Sequence, residues 1–350
     1  MHSRCEDRMR KPHLLDSIIV GGGPAGLAVA HTFQQAGLSC RVLEQGALAW
    51  HIAQYPTFMR FFSTNQNLEI AGFPLGNTEE KPSRQEYLLY LTNFVRYHRL
   101  PVETHSPVTE VRREEDGTFT VTVEREGRPP ERRRARTVVV AVGAWDAPRK
   151  LDVPGADLPK VRYRYTEAHE YVGKRVLVVG GRNSAVETAL ILWRAGAEVS
   201  LSYRRTEFSG RGLKYWLRPD IENRIANREI RGFLGSHVRR IGWEEVELEL
   251  EDGRREIIEN DFVLPMLGYD PPVGFLRSLG IELEEETNRP VHDPETLESN
   301  VAGLFVAGVI TYGNVSGHVF IENSRHHGEL ILPRLRRILA EAKTQPARSG

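Results

Sequence analysis

Apolar residues along the chain fall in short runs, and the best-defined one opens Asp16-Ser-Ile-Ile-Val-Gly-Gly-Gly-Pro-Ala-Gly26. A β-branched stretch of this length reads as a buried parallel strand, which the glycines end sharply. Leu27 to Gly37, rich in alanine and leucine and closed by glycine, predicts a helix, and Ser39–Glu44 predicts a second strand. The segment is therefore a βαβ unit. The same order returns later, with Arg175–Gly181 as strand, Asn183–Ala195 as a helix closed by Gly196, and Glu198–Tyr203 as strand.

Each copy is followed by a related return segment. Val138-Val-Val-Ala-Val-Gly-Ala-Trp-Asp-Ala-Pro148 and Phe262-Val-Leu-Pro-Met-Leu-Gly-Tyr-Asp-Pro-Pro272 both carry an apolar strand, a glycine, an aromatic residue, an aspartate and a proline in register. Start and return repeating together imply two domains of one architecture. The Pro- and Gly-bearing stretches Asp152–Pro159 and Gly268–Gly274 are the expected hinges. The basic run Arg125–Arg136, between apparent strands Thr118–Val123 and Thr137–Val142, predicts a solvated hairpin, and residues 1–13 and 344–350 read as tails.

Composition agrees with this division. The 350 residues suggest about two domains at roughly 150 residues each. Forty-seven basic residues balance 47 acidic ones, which argues against a nucleic-acid partner. No apolar run approaches the roughly 18 residues of a membrane span, and Met1–His13 is polar rather than signal-like, so no membrane is expected and a cytoplasmic location is. Cys5 and Cys40 cannot build a disulfide framework, a zinc site or a C-x-x-C pair, and no metal site is expected.

Gly21, Gly23 and Gly26 form G-x-G-x-x-G between strand and helix. The first permits the tight turn, the second lets a pyrophosphate approach the backbone, and the third lets helix and strand pack closely. The helix start then offers N–H groups and positive dipole to phosphate. Glu44, ending the second strand, is placed to accept from ribose hydroxyls. In the second copy Gly180, Arg182 and Ala185 replace the three glycines, and the following strand ends in Ser202-Tyr-Arg-Arg205 instead of an acid. A carboxylate there would repel a 2′-phosphate, whereas Arg204 and Arg205 can hold one. Two dinucleotide folds require two dinucleotides: FAD on the first and NADPH on the second is the combination expected of an oxidoreductase.

At these residues the chain resembles, from about residue 14 to 340, the two-dinucleotide-binding-domain flavoproteins of the thioredoxin reductase type. Gly303-Leu-Phe-Val-Ala-Gly-Val309 and His318-Val-Phe-Ile-Glu-Asn-Ser-Arg-His-His-Gly328 match the motif and helix that lie by the flavin in those proteins. The resemblance implies an α/β fold of two Rossmann-like, three-layer domains with the NADPH domain inserted into the FAD domain: 14–154 and 288–343 for FAD, 155–287 for NADPH. It places Gly21, Gly23, Pro24, Ala25, Gly26, Glu44, Gln45, Val108, Gly143 and Gly308 on FAD, with backbone N–H groups around Phe320 and Ile321 facing the N1/O2 edge of the flavin. Gly180, Arg182, Asn183, Ser184, Arg204 and Arg205 fall on NADPH. Two departures matter: Val309 stands where thioredoxin reductases carry an aspartate, and Lys160–Lys174, where their C-x-x-C pair lies, holds no cysteine. The chain is thus not a thioredoxin reductase.

Tyr55-Pro-Thr, Phe61-Phe-Ser, Glu167-Ala-His, Asn183-Ser-Ala, Ala307-Gly-Val-Ile310 and Ile321-Glu-Asn are similar to the YpdA-type bacillithiol disulfide reductases. That likeness implies NADPH-dependent reduction of FAD and then of a small-molecule disulfide or other small redox acceptor, in a homo-oligomer serving thiol redox homeostasis. The type carries a cysteine just before the third glycine, and here that residue is Ala25. Glu167 and His169 sit where the dithiol would have been and are the catalytic candidates; His326 and His327 are successive helical positions that cannot both face the ring. Lys214 and Trp216 read as a lid. The competing readings are a flavin monooxygenase, whose fingerprint histidine falls on Tyr165, a ferredoxin or quinone reductase, and a flavin-bound redox sensor.

Replacing Arg204 and Arg205 together by alanine is expected to raise KM for NADPH far more than for NADH in steady-state assays. Equal effects on both nucleotides would remove the arginine pair from 2′-phosphate recognition.

Overall fold

The computed structural model describes residues 14–145, 147–208, 213–315 and 319–344. The chain divides into two compact units, one made of residues 1–53, 60–144 and 271–350, the other of 54–59 and 145–270. Against expected cuts at 154/155 and 287/288, the chain leaves the first unit after Ala144 and rejoins it at Pro271.

In the first unit, strand β1 (Leu15–Val20) leads into helix α1 (Pro24–Gln35) and strand β2 (Cys40–Leu43). The helix starts at Pro24, three residues before the expected Leu27, because proline suits the first helical position and its missing N–H costs nothing there. Helix α2 (Arg84–His98) is opened by a reciprocal Ser83–Glu86 capping box and buries Tyr87, Tyr90, Leu91 and Phe94 at helical spacing. Strands β3 (Val102–Glu103), β4 (Val108–Arg113), β5 (Phe119–Val123) and β6 (Glu131–Val140) follow. The sheet order is β3-β2-β1-β6-β5-β4, with Leu304–Val306 also paired to β6.

Strand β6 corrects one expectation. Half of the basic run, Glu131–Arg136, is strand rather than loop, antiparallel to β5 over Glu131–Ala135, while Val138–Val140 further along pairs with Leu304–Val306 in parallel. Its arginines are tolerated because acids meet them: Arg133 pairs with both Glu103 and Glu131, and Arg125 with the same two. Two apolar layers cover the sheet, one around Val138, Val140 and Leu304, the other around Val29, Phe33, Val139, Ile331 and Leu335.

The second unit opens with a short strand, β7 (Ala147–Pro148), and builds a parallel sheet from β8 (Arg175–Val179) and β9 (Glu198–Tyr203) around helix α3 (Asn183–Ala195). Gly196, at φ +98°, caps α3 in the left-handed conformation, as its place after the apolar pattern predicts. After helix α4 (Leu217–Ala226) come β10 (Arg231–Leu234), the meander β11 (Ser236–Ile241), β12 (Glu245–Leu250) and β13 (Arg255–Glu259), then β14 (Phe262–Pro265) and β15 (Tyr269–Asp270). The parallel order is β10-β9-β8-β14. Strands β7 and β15 pair antiparallel, and this ribbon explains the early boundary: the outgoing and returning strands bond to each other and so stay in one unit. Residues 54–59 also belong here, since the Thr57 N–H and hydroxyl both donate to the Thr166 carbonyl.

Arg175 and Asp261 tie β8 to the start of β14. The Asp261 carboxylate accepts from the Arg175 backbone N–H at 2.8 Å and from Nη2 at 2.7 Å, and these bonds hold its pKa down at about 2. A carboxyl held below its ordinary value contributes stability above that value and loses it as pH falls toward the folded one. Asp261→Asn is expected to lower the melting temperature at pH 7 by roughly 2–4 °C, and the gap to the native chain should close between about pH 4 and pH 2 in scans across that range. A gap that persists unchanged at pH 2 would contradict the assignment.

Candidate dinucleotide sites

The first site grows from β1 and α1. Gly21, at φ +111°, turns the chain so tightly that a Cβ there would collide with the Ala141 carbonyl oxygen, and a Cβ on Gly26 would collide with the Gly21 carbonyl oxygen. Only Gly23 looks onto open space, with no heavy atom within 4 Å of where its Cβ would stand. No side chain caps α1 at Gly23, which leaves the first helical N–H groups to an anion. The result is a cradle that could hold a pyrophosphate: two glycines are closed to side chains by packing, and the third is open where phosphate would approach.

Glu44 ends β2 and is 5 % exposed. Its carboxylate accepts from Gly22 N–H at 2.8 Å and Gly46 N–H at 3.1 Å. Burial pushes its pKa up, while those two backbone bonds pull it down. An ionised carboxylate has about four acceptor sites, so one is left for a ribose hydroxyl beyond the N–H groups of Gly22, Gly46 and Gln45. Gln45 beside it lines a recess of about 800 Å³ with Glu103, His105, Arg125 and Arg128. Gly143 is left-handed at φ +76° with its Cβ side open, and Val108 is half-buried at the start of β4. Gly308, also left-handed, sits with its Cβ side 3.0 Å from the Ala25 Cβ, so the late glycine motif meets the early one.

The short helical turn Ile321–Ser324 follows Phe320. The Phe320 N–H donates to Asn323 Oδ1 at 2.7 Å and so is already used, which leaves the donor role at this turn to the residues after it. Val309 packs against the apolar layer of β6, consistent with its replacing an aspartate.

The second site repeats the turn of the first with different neighbours. Gly180, at φ +138°, faces the Met266 carbonyl oxygen at 2.7 Å, as Gly21 faces that of Ala141, and also the Ala185 Cβ at 2.9 Å. Gly21 N–H donates to Leu43 and Gly180 N–H to Ser202 at 2.8 and 2.9 Å. Arg182 takes the place of Gly23 with nearly the same extended backbone, ψ −177° against −179°, and its side chain is exposed. Where Gly22 faces Glu44, Gly181 faces the ring of Tyr203, which stacks on Phe208 at 5.7 Å. Arg204 and Arg205 follow at the surface, in no ion pair among the described residues. Asn183 Oδ1 accepts from Lys214 N–H at 2.8 Å, which ties the helix start to the 213–216 segment, and Ser184 is exposed.

The two catalytic candidates serve their own turn. Glu167 Oε1 accepts the His169 N–H at 3.0 Å and caps the 3-10 turn Ala168–Tyr171, in which His169 is exposed. Residues 209–212, next to the expected lid, and His318 of the late motif lie outside the described residues. Cys40 is buried, with Sγ 3.8 Å from the Ala30 carbonyl and its pKa pushed up to about 11 by burial. No group of side chains able to hold a metal occurs among the described residues, and no helix is long and apolar enough to cross a membrane.

Comparison with known proteins decides the family. The model of the pyridine nucleotide-disulphide oxidoreductases matches residues 18–308. The chain belongs to that family. It is 38% identical over 314 residues to the bacilliredoxin reductase Bdr of Bacillus subtilis, covering 89% of this chain and 94% of the relative. The solved bacillithiol disulfide reductase Bdr (YpdA) of Bacillus cereus superposes with a TM-score of 0.89 at 36% identity, over 94% of this chain and all of that one. A ferredoxin–NADP reductase of Ignicoccus hospitalis is 24% identical over 307 residues, 85% of this chain and 90% of the relative. As a pyridine nucleotide-disulphide oxidoreductase of this kind, the chain is an FAD-dependent, NADPH-oxidising enzyme with the two-domain flavoprotein fold.

One residue of the second unit carried no motif signal. Glu187 lies one turn into α3, and burial alone pushes its carboxyl up to about 7. A carboxyl raised in this way is held protonated by the fold, so ionising it costs stability that accrues from about pH 4.5 to 7. Glu187→Gln is expected to raise the melting temperature at pH 8, by on the order of 2 kcal/mol in stability, with no gain below pH 4.5. A gain independent of pH would place the effect elsewhere.

Proposed function

We propose that the chain oxidises NADPH and passes two electrons through FAD to the disulfide of a low-molecular-weight thiol, the kind of acceptor for which the Bacillus cereus reductase is named. The observation that carries this reading is the pair of matching glycine cradles with opposite neighbours: Glu44 at one, Tyr203 followed by Arg204 and Arg205 at the other.

On this reading the open side of Gly23 and the start of α1 receive the FAD pyrophosphate, and Glu44 orients the adenosine ribose through its remaining acceptor site. Gly308 closes the pocket against Ala25, and the turn at Ile321 presents backbone N–H groups to the flavin edge. The start of α3 takes the NADPH pyrophosphate, with Arg182 able to reach a phosphate from its exposed position, and Arg204 and Arg205 neutralise the 2′-phosphate. FAD, once bound, supplies the chemistry of hydride acceptance and electron delivery. Glu167 has a structural part in this scheme, since its Oε1 caps its own turn.

Electron delivery to ferredoxin is the second reading, favoured by Ala25 at the place of the type's cysteine and by the ferredoxin–NADP reductase relative. Stopped-flow reoxidation of the NADPH-reduced enzyme by bacillithiol disulfide, quinone, ferredoxin and oxygen separates the two. Saturable reoxidation by bacillithiol disulfide, faster than by oxygen, is expected. Reoxidation by ferredoxin alone would replace the first reading with the second, and protein purified without flavin would overturn both.

A further inference from the structure

We propose that His327 is a positioning residue of the flavin pocket, its imidazole fixing the Gly308 turn against the start of α1. The inference rests on the FAD reading of the first cradle and gives a part to one of the two histidines of the late motif. Gly308 N–H donates to His327 Nδ1 at 3.1 Å, and the Gly308 carbonyl accepts from Thr311 Oγ1 at 2.8 Å. Both polar groups of one left-handed glycine are thereby held, from two sides, while its Cβ face touches Ala25.

The chemistry demands a neutral ring. An imidazole that accepts at Nδ1 carries its proton on Nε2, and an imidazolium could not accept at all. His327 is 8 % exposed at the start of the C-terminal helix, and burial, with His292 and His326 nearby, keeps its pKa down at about 4. Its neighbour has a different part: His326 is exposed, facing Glu329 at 3.4 Å and Arg325 at 3.2 Å. The need for an internal clamp follows from Val309. Its side chain packs against the apolar layer, so at the Gly308 turn no acid reaches into the pocket and the backbone itself must be held.

The test is FAD binding to apoprotein, followed by flavin fluorescence and absorption. His327→Asn keeps an oxygen at the Nδ1 position, whereas His327→Gln carries its oxygen one bond too far. H327Q is expected to raise the FAD Kd by about tenfold, the loss of one buried hydrogen bond, and to shift the flavin absorption bands. H327N should stay within about threefold of the native chain. Thr311→Val, which frees the Gly308 carbonyl at nearly equal volume, should weaken FAD in the same direction and is informative even where H327Q fails to fold. Native affinity in H327Q or in T311V would overturn the inference, as would equal weakening by H327N and H327Q. A native chain that takes no FAD at all would overturn the underlying reading, a result distinct from any of these.

Discussion

Backbone pressed on backbone is the constraint from which both cradles follow. A side chain on Gly26 would strike the Gly21 carbonyl, and one on Gly21 would strike the carbonyl of Ala141 at the end of β6. Strand, turn and helix start can occupy so small a volume only because these positions lack Cβ atoms. Gly180 meets the same constraint in the second unit, against Met266 after β14, with Ala185 closing the turn from the helix. A Cβ on Gly180 would stand 2.9 Å from the Ala185 Cβ, so the helix start as well as the Met266 carbonyl closes this position to a side chain.

Once the turns are fixed, the two loops differ in what the next strand brings up to the second glycine of each. β2 brings Glu44, whose carboxylate is held by two backbone N–H groups and remains an acceptor. β9 brings Tyr203, an aromatic wall stacked on Phe208, and leaves the cationic Arg204 and Arg205 beyond it. An acid beside the first loop favours free ribose hydroxyls and repels a 2′-phosphate; the second loop reverses both preferences. One architecture thus presents two different chemistries at an equivalent place, a carboxylate in one unit and an aromatic ring followed by two cations in the other.

The glycine loops, the internal repeat and the full extent of α3 are legible in the sequence because each rests on local signals: β-branched runs, glycine punctuation and a C-cap. What escapes depends on distant partners. Residues 54–59 read as part of the first domain, yet they are bonded to Thr166, more than a hundred positions away, and no local pattern announces that. Glu131–Arg136 reads as a loop by its charge, but inside the sheet Arg133 meets Glu103 and Glu131, and Arg134 meets Asp116. Proline- and glycine-rich stretches suggest one set of domain cuts, whereas the β7–β15 ribbon moves them to the ends of the return strands. At the candidate site, the pairing of His326 and His327 is visible in the sequence, but which of them turns inward depends on the Gly308 N–H that only one can reach. Phe320 shows the converse, a backbone donor that looks available in sequence and is taken by the side chain of Asn323.

The cysteines set the remaining limit on mechanism. A thiol can attack a disulfide only as thiolate, and only where the disulfide can reach it. Cys40 fails on both requirements, being buried between β2 and α1 with its pKa near 11. Position 25 would have suited a thiolate, being half-buried at the second residue of α1, where the helix dipole lowers a thiol pKa, but alanine stands there. A mixed disulfide can therefore form at neither place. Whatever accepts electrons from the reduced enzyme must do so without a covalent link to α1 or β2. The close approach of Gly308 to Ala25 at the start of α1 then brings no nucleophile to that place.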